Sequence, residues 1–211
     1  MQHAVMIAVK KNGVLCIAAI LLCLVILSLF SHHAFGINYS AGTYGTCTYG
    51  SCSITLTTSG SITADVTPAI GSTKCTVSND VVTATTDSST GYTVTLNDTD
   101  TSNTLSGPVS ITANSSTSSS PSLLTANTWG YRVDSIDSFG AGPTSAISSG
   151  VIPALTFAGV PISSDTPGLI RTTSTADTGT VNTSVWYGVC ANTSLQSGSY
   201  NDGVTYTAVI N

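Results

Sequence analysis

Charge is scarce in this chain of 211 residues: charged residues make up 7%, against about 25% in an ordinary globular domain. Glu is absent, so all 10 acidic residues are Asp. His occurs only as His3, His32 and His33, and Met only as Met1 and Met6. Beyond Gly36 the cations are Lys74, Arg132 and Arg171. Each shortage excludes something. So few charges rule out a solvated helix bundle, and a formal net charge of -5 argues against a nucleic-acid surface. Without His beyond His33, the residues that follow lack the commonest base for a Ser or Cys nucleophile and the commonest ligand for zinc. No phosphate loop, dinucleotide fingerprint or Ser-x-x-Lys pattern occurs either. The inventory leads to an expectation of no enzyme activity, no cofactor and no metal centre.

What is abundant points outward from the cell. Lys10 and Lys11 precede an apolar run from Val14 to Phe30, followed by small residues at Ala34 and Gly36. That order fits a secretory signal, residues 1–36, cut after Gly36. The alternative is an uncleaved membrane anchor through Val14–Phe30, slightly shorter than the roughly 20 residues that span a bilayer. The lysines sit on the N-terminal side, so both readings place residues 37–211 outside, secreted or on the extracellular face of the membrane. Cys16 and Cys23 lie in the apolar run and read as small hydrophobes.

Ser and Thr together supply about a third of the chain, well above ordinary usage. They fall into period-two alternation. Ile54 and Leu56, then Ile62, Ala64 and Val66, then Val82 and Ala84, alternate with Thr, Asp or Val. Tyr92, Val94 and Leu96 follow, then Val109, Ile111 and Ala113, then Trp129, Tyr131 and Val133. Val185, Tyr187 and Val189 precede the closing run Val204–Ile210. Alternation with turn residues between runs, such as Ser88-Ser89-Thr90-Gly91, is the signature of half-buried strands. Thr suits the outward face, because it is β-branched and its hydroxyl is content in water. No helical period appears after Phe30. The expected fold is all-β, an antiparallel Ig-like sandwich in a single domain, with the Ser-rich stretch 114–122 as a surface loop.

Trp129 and Trp186 read first as core residues. Trp186 and Tyr187 are neighbours on opposite faces of one strand, so an exposed member of the pair would give a stacking platform for a glycan. Asp98-Thr99-Asp100-Thr101-Ser102 resembles the start of a calcium loop but lacks the sixth-position Gly and the closing Glu, and reads as a polar hairpin. Four Cys follow the apolar segment: Cys47, Cys52, Cys75 and Cys190. An even number in an oxidising compartment implies two disulfides with three possible connectivities. The short Gly-containing loop lets Cys47 close on Cys52, which leaves Cys75 with Cys190.

The segments Thr46–Leu56 (TCTYGSCSITL), Thr125–Asp134 (TANTWGYRVD) and Val185–Val209 (VWYGVCANTSLQSGSYNDGVTYTAV) resemble secreted Thr/Ser-rich β-domain surface proteins of ultra-small, host-associated bacteria. The Trp-Gly-Tyr, Tyr-Gly-Val-Cys and Gly-x-Tyr-x-Asp blocks are the most specific parts. The C-terminal block is loosely similar to WxL cell-wall-binding domains and to pilin-like subunits, although Trp129-Gly130-Tyr131 departs from Trp-x-Leu. The resemblance implies a surface or secreted role, with no particular ligand. Function is therefore expected to be structural or adhesive, towards a wall or host glycan or protein. The alternatives are a self-assembling pilin-like or coat subunit, joined through the Val204–Ile210 strand, and a glycan-binding module.

Overall fold

Alternating Thr and apolar residues should give strands that differ between their two faces, and the computed structural model contains them. It describes residues 43–44 and 47–48, as backbone only, and residues 52–211 except Pro153. The expected signal helix and cleavage positions Ala34 and Gly36, and the Cys47 side chain, lie outside the described residues. In chain order the strands are β1 (Thr43–Tyr44), β2 (Cys47–Thr48), β3 (Ile54–Thr57), β4 (Lys74–Thr86) and β5 (Tyr92–Asp98). Then come β6 (Thr112–Ala113), β7 (Ser122–Leu123), β8 (Thr128–Val133) and β9 (Ile147–Gly150). The last four are β10 (Thr156–Phe157), β11 (Gly168–Thr172), β12 (Asn182–Ala191) and β13 (Val204–Ile210). Among the described residues there is no helix. The fold is all-β.

Two sheets carry the structure. The six-stranded sheet runs β3-β4-β12-β8-β6, with β9 also on β4. The three-stranded sheet runs β11-β5-β13. Pairing is antiparallel except between β6 and β8, which run parallel, a departure from the antiparallel expectation. Val82 and Ala84 of β4, Val185 of β12 and Trp129, Tyr131 and Val133 of β8 share one core with Tyr92, Val94 and Leu96 of β5 and Ile170 of β11. Tyr92 joins the sheets by donating from its hydroxyl to the Ala84 carbonyl at 3.1 Å.

The other face of the six-stranded sheet is also covered. There Cys75, Val77, Trp186 and Cys190 form a second buried cluster with Ile152 and Phe157. Gly130 and Gly188 are cross-strand partners, and their register explains both glycine-containing blocks. A Cβ on Gly188 would come within 2.6 Å of the Phe157 ring, and one on Gly130 within 2.3 Å of the Ala158 carbonyl oxygen. The paired glycines thus leave the socket that the fully buried Phe157 fills.

One expectation differs from what forms. Ile62–Val66 keeps alternating burial yet joins no ladder. The hydroxyls of Thr76 and Ser78 donate to the carbonyls of Asp65 and Thr63 at 2.5 and 3.1 Å, replacing main-chain pairing. The Ser-rich 114–122 stretch lies at the surface, anchored by Asn114. The Asn114 side chain is 9% exposed, and its amide donates to the Ser122 and Phe157 carbonyls at 3.2 and 3.1 Å. The Ser116 hydroxyl donates to the same Phe157 carbonyl at 2.7 Å. Asn and Ser side chains can satisfy backbone groups locally in this way.

Candidate functional site

The candidate chemistry lies where strands end and where polar groups are buried. Trp186 and Tyr187 do project to opposite faces of β12, but neither offers an open ring. Trp186 is 5% exposed in the second cluster. Tyr187 packs against the main core, and its hydroxyl meets that of Tyr206 at 2.7 Å. Trp129 is 4% exposed and donates from its indole nitrogen to the Asn103 carbonyl at 2.9 Å. Both tryptophans therefore serve the core.

The Tyr187–Tyr206 pair links β12 to β13 across the core beside Asp80. Asp80 is 3% exposed and accepts from both the amide and the hydroxyl of Ser59, at 2.8 and 2.5 Å. Burial pushes the phenols of Tyr187 and Tyr206 up, and the Asp80 carboxylate adds to the effect. Burial also raises Tyr131, to about 12. A phenol whose folded value lies above its unfolded value near 10 contributes stability that is fully present below pH 10 and lost as pH climbs through the folded value. The unfolding free energy is expected to fall steeply above pH 10. The buried Tyr131 alone should account for about 2–3 kcal/mol by pH 12. Urea melts at pH 9, 10 and 11 measure this, and a stability that stays flat over that range would contradict it.

Cys75 and Cys190 form a disulfide between directly paired residues of β4 and β12. Cys52 is also disulfide-bonded; the pairing expected for it involves Cys47, whose side chain lies outside the described residues. Buried disulfides persist in oxidising compartments and are rare in reducing ones.

At the end of β5 the chain turns through two Asp side chains. Asp98 Oδ1 accepts from the Asp100 amide at 3.0 Å, and Asp100 Oδ1 accepts from the Ser102 amide at 2.6 Å. This is the segment whose sequence resembles a calcium loop, and it is a polar turn as expected. Antiparallel pairing of β13 with β5 brings in a residue the sequence does not single out. Val204 is the partner of Asp98, and Asp202, two residues earlier, interacts with the Asp98 carboxyl. Asp202 Oδ1 accepts from the Gly203 amide at 2.7 Å. Burial, with further contributions from Asp98 and Asp100, pushes the Asp202 carboxyl up to about 7. The Gly-x-Tyr-x-Asp block, Gly198 to Asp202, was the available signal, but only strand register reveals its partner. Among the described residues no three His, Cys, Asp or Glu side chains converge to hold a metal ion. The chain matches no family model, no curated protein and no solved structure.

Proposed function

We propose that this chain is an exported β-domain with an Ig-like sandwich, acting outside the cell as a structural or adhesive module. The observation that carries the reading is the buried Cys75–Cys190 disulfide, set in the middle of the larger sheet. Such bonds form and persist mainly in oxidising compartments, and the apolar run after Lys10 and Lys11 supplies a route there. Hydroxyl-rich outer faces support the same reading. Thr55 and Thr85 pair their hydroxyls across β3 and β4 at 2.6 Å. Thr93 and Thr172 do so across β5 and β11 at 3.1 Å. These rows keep a sheet wettable with hardly any charge, which suits a module displayed on a surface.

A second reading, a self-assembling subunit, has one observation in its favour. β13 is an edge strand of its sheet, with Val209 57% exposed, and an edge can accept another strand. Protease treatment of intact cells, followed by non-reducing mass spectrometry of the released fragments, tests the main reading. Cleavage of the chain on whole cells with both disulfides intact is the expected result. A chain that stays protected until lysis would overturn it. Concentration-dependent sedimentation would favour the assembling subunit.

A further inference from the structure

We propose that two copies of this chain pair through β13, antiparallel about a twofold axis at Thr207, to form a closed dimer. The proposal rests on the edge-strand observation behind the self-assembling reading and limits that assembly to two copies. Which groups of β13 are open follows from its pairing with β5. The Gly203 carbonyl accepts from the Thr99 amide at 3.0 Å, and the Asn211 amide donates to the Gly91 carbonyl at 3.1 Å. In a register that runs from Val204–Asp98 to Ile210–Tyr92, these bonds assign the odd-numbered residues of β13 to β5. The amides and carbonyls of Val204, Tyr206, Ala208 and Ile210 therefore point the other way. Among the described residues no strand lies on that side of β13 in its sheet. Such a row is a template for another strand.

The core is also incomplete along this edge. Tyr92, Val94 and Leu96 of β5 are fully buried, whereas Val204, Tyr206, Ala208 and Ile210, beside them in the sheet, are only half-buried. Other edges carry the usual guards against strand addition. β3 has four residues and β6 two. β11 shifts register between Leu169 and Arg171 and carries the Arg171–Asp177 ion pair. β13 runs for seven residues without a bulge, a charge, Pro or Gly.

A second β13 suits this row. With no charge on the strand, nothing repels when two copies meet. Only a twofold centred on Thr207 pairs every open residue of both copies, Val204 with Ile210 and Tyr206 with Ala208. On the core side that sets the large Tyr206 against the small Ala208. On the outer side it sets Thr207 against Thr207 and Thr205 against the exposed Val209. Thr207 already partners Thr95 of β5, so the contact extends a hydroxyl row of the kind that joins Thr93 to Thr172. The merged sheet ends on the guarded β11 of each copy. A twofold contact of one patch with itself is closed, so growth stops at two.

Sedimentation of the protein as isolated should show a concentration-dependent dimer. Thr207→Lys puts two ammonium groups opposite each other and should weaken association about tenfold or more. Thr172→Lys, on the β11 edge, should leave the dimer intact. Thr207→Cys reports position: the twofold brings its two Cβ atoms to about 4.5–5.5 Å, so it should cross-link in air. Thr205→Cys, whose two copies would stand roughly 14 Å apart along the strands, should not. If Thr207→Lys fails to fold, the cysteine pair carries the test. A wild type that stays monomeric, with Thr207→Cys uncrosslinked, would overturn this proposal and the self-assembling reading together, leaving the edge to a strand of another protein. Species that grow beyond two copies would overturn the closed dimer while keeping the self-assembling reading. Association that Thr207→Lys leaves unchanged, as through the apolar run Val14–Phe30, would overturn it as well.

Discussion

Replacing Cys75 and Cys190 together by alanine is expected to lower stability by about 4–5 kcal/mol, a fall of roughly 10–15 °C in melting temperature. The magnitude comes from the unfolded chain. The two residues are 115 apart in sequence, so the bond removes much of the freedom that a long loop otherwise has when the domain unfolds. Its native surroundings add little to the loss. Cys75 and Cys190 are already partners in the β4–β12 ladder, so that ladder holds them together without the sulfurs. Two small side chains are truncated in the cluster with Val77 and Trp186, which is a modest cavity beside the entropic effect. Calorimetry of the double variant beside the wild type measures the difference. A change under about 1 kcal/mol would show that the ladder alone fixes this strand pair. Reduction of the wild type should reproduce the variant only after partial unfolding, since the two residues are 5% and 0% exposed.

The same strand pair shows what the sequence made legible. Alternation located β5, β8, β12, β13 and the second half of β4, and it named the core-facing residues Val82, Tyr92, Val94, Leu96, Tyr131 and Val185 correctly. It placed Trp129 in the core as well. It also predicted a Cys75–Cys190 bond through a short loop at Cys47 and Cys52. What it missed follows from what alternation cannot encode. A period of two says which residues share a face, but nothing about what covers the second face. The expectation of a polar outward side on β8 fails for that reason: Gly130 and Arg132 lie under the segment that carries Ile152 and Phe157. Gly130 and Gly188 look unrelated until register sets them opposite each other. Asp202 reaches Asp98 only because β13 folds back antiparallel to β5, a pairing of distant segments that no local window contains. Ile62–Val66 errs in the opposite direction, since β9 and β3 already occupy that edge of β4.

Arg132 is the most consequential of the missed residues, and its replacement by methionine should cost about 3–5 kcal/mol. The side chain is 0% exposed. One terminal nitrogen donates to the carbonyls of Phe139 and Ala141, each at 2.9 Å, and of Gly140 at 3.2 Å. The other terminal nitrogen donates to the Thr156 carbonyl at 3.2 Å. The guanidinium also lies 5.9 Å from the Phe157 ring centroid, so a single fork fastens the 139–141 turn and β10 to the back of β8. Its ion pair with Asp134 is the lesser part. The Nε–Oδ1 contact is buried but long, at 3.5 Å, and the rest of the Asp134 side chain reaches solvent, at 37% exposed, which limits what the pair is worth. Substitutions here should therefore rank in a definite order. Arg132→Met removes a donor from four carbonyls, that of Phe139 in a buried place and the others part-buried, and should be the worst. Arg132→Lys keeps the charge, but a compact ammonium cannot replace a planar fork spread over two segments, so a loss of about 2 kcal/mol is expected. Asp134→Asn, which removes only the half-exposed partner, should cost the least, under about 1 kcal/mol. Urea denaturation of the three variants decides the matter. A lysine variant as stable as the wild type would mean that charge, rather than the carbonyl-gathering fork, is what this position requires. If Asp134→Asn proved as damaging as Arg132→Met, the ion pair would be the anchor and the four carbonyls incidental.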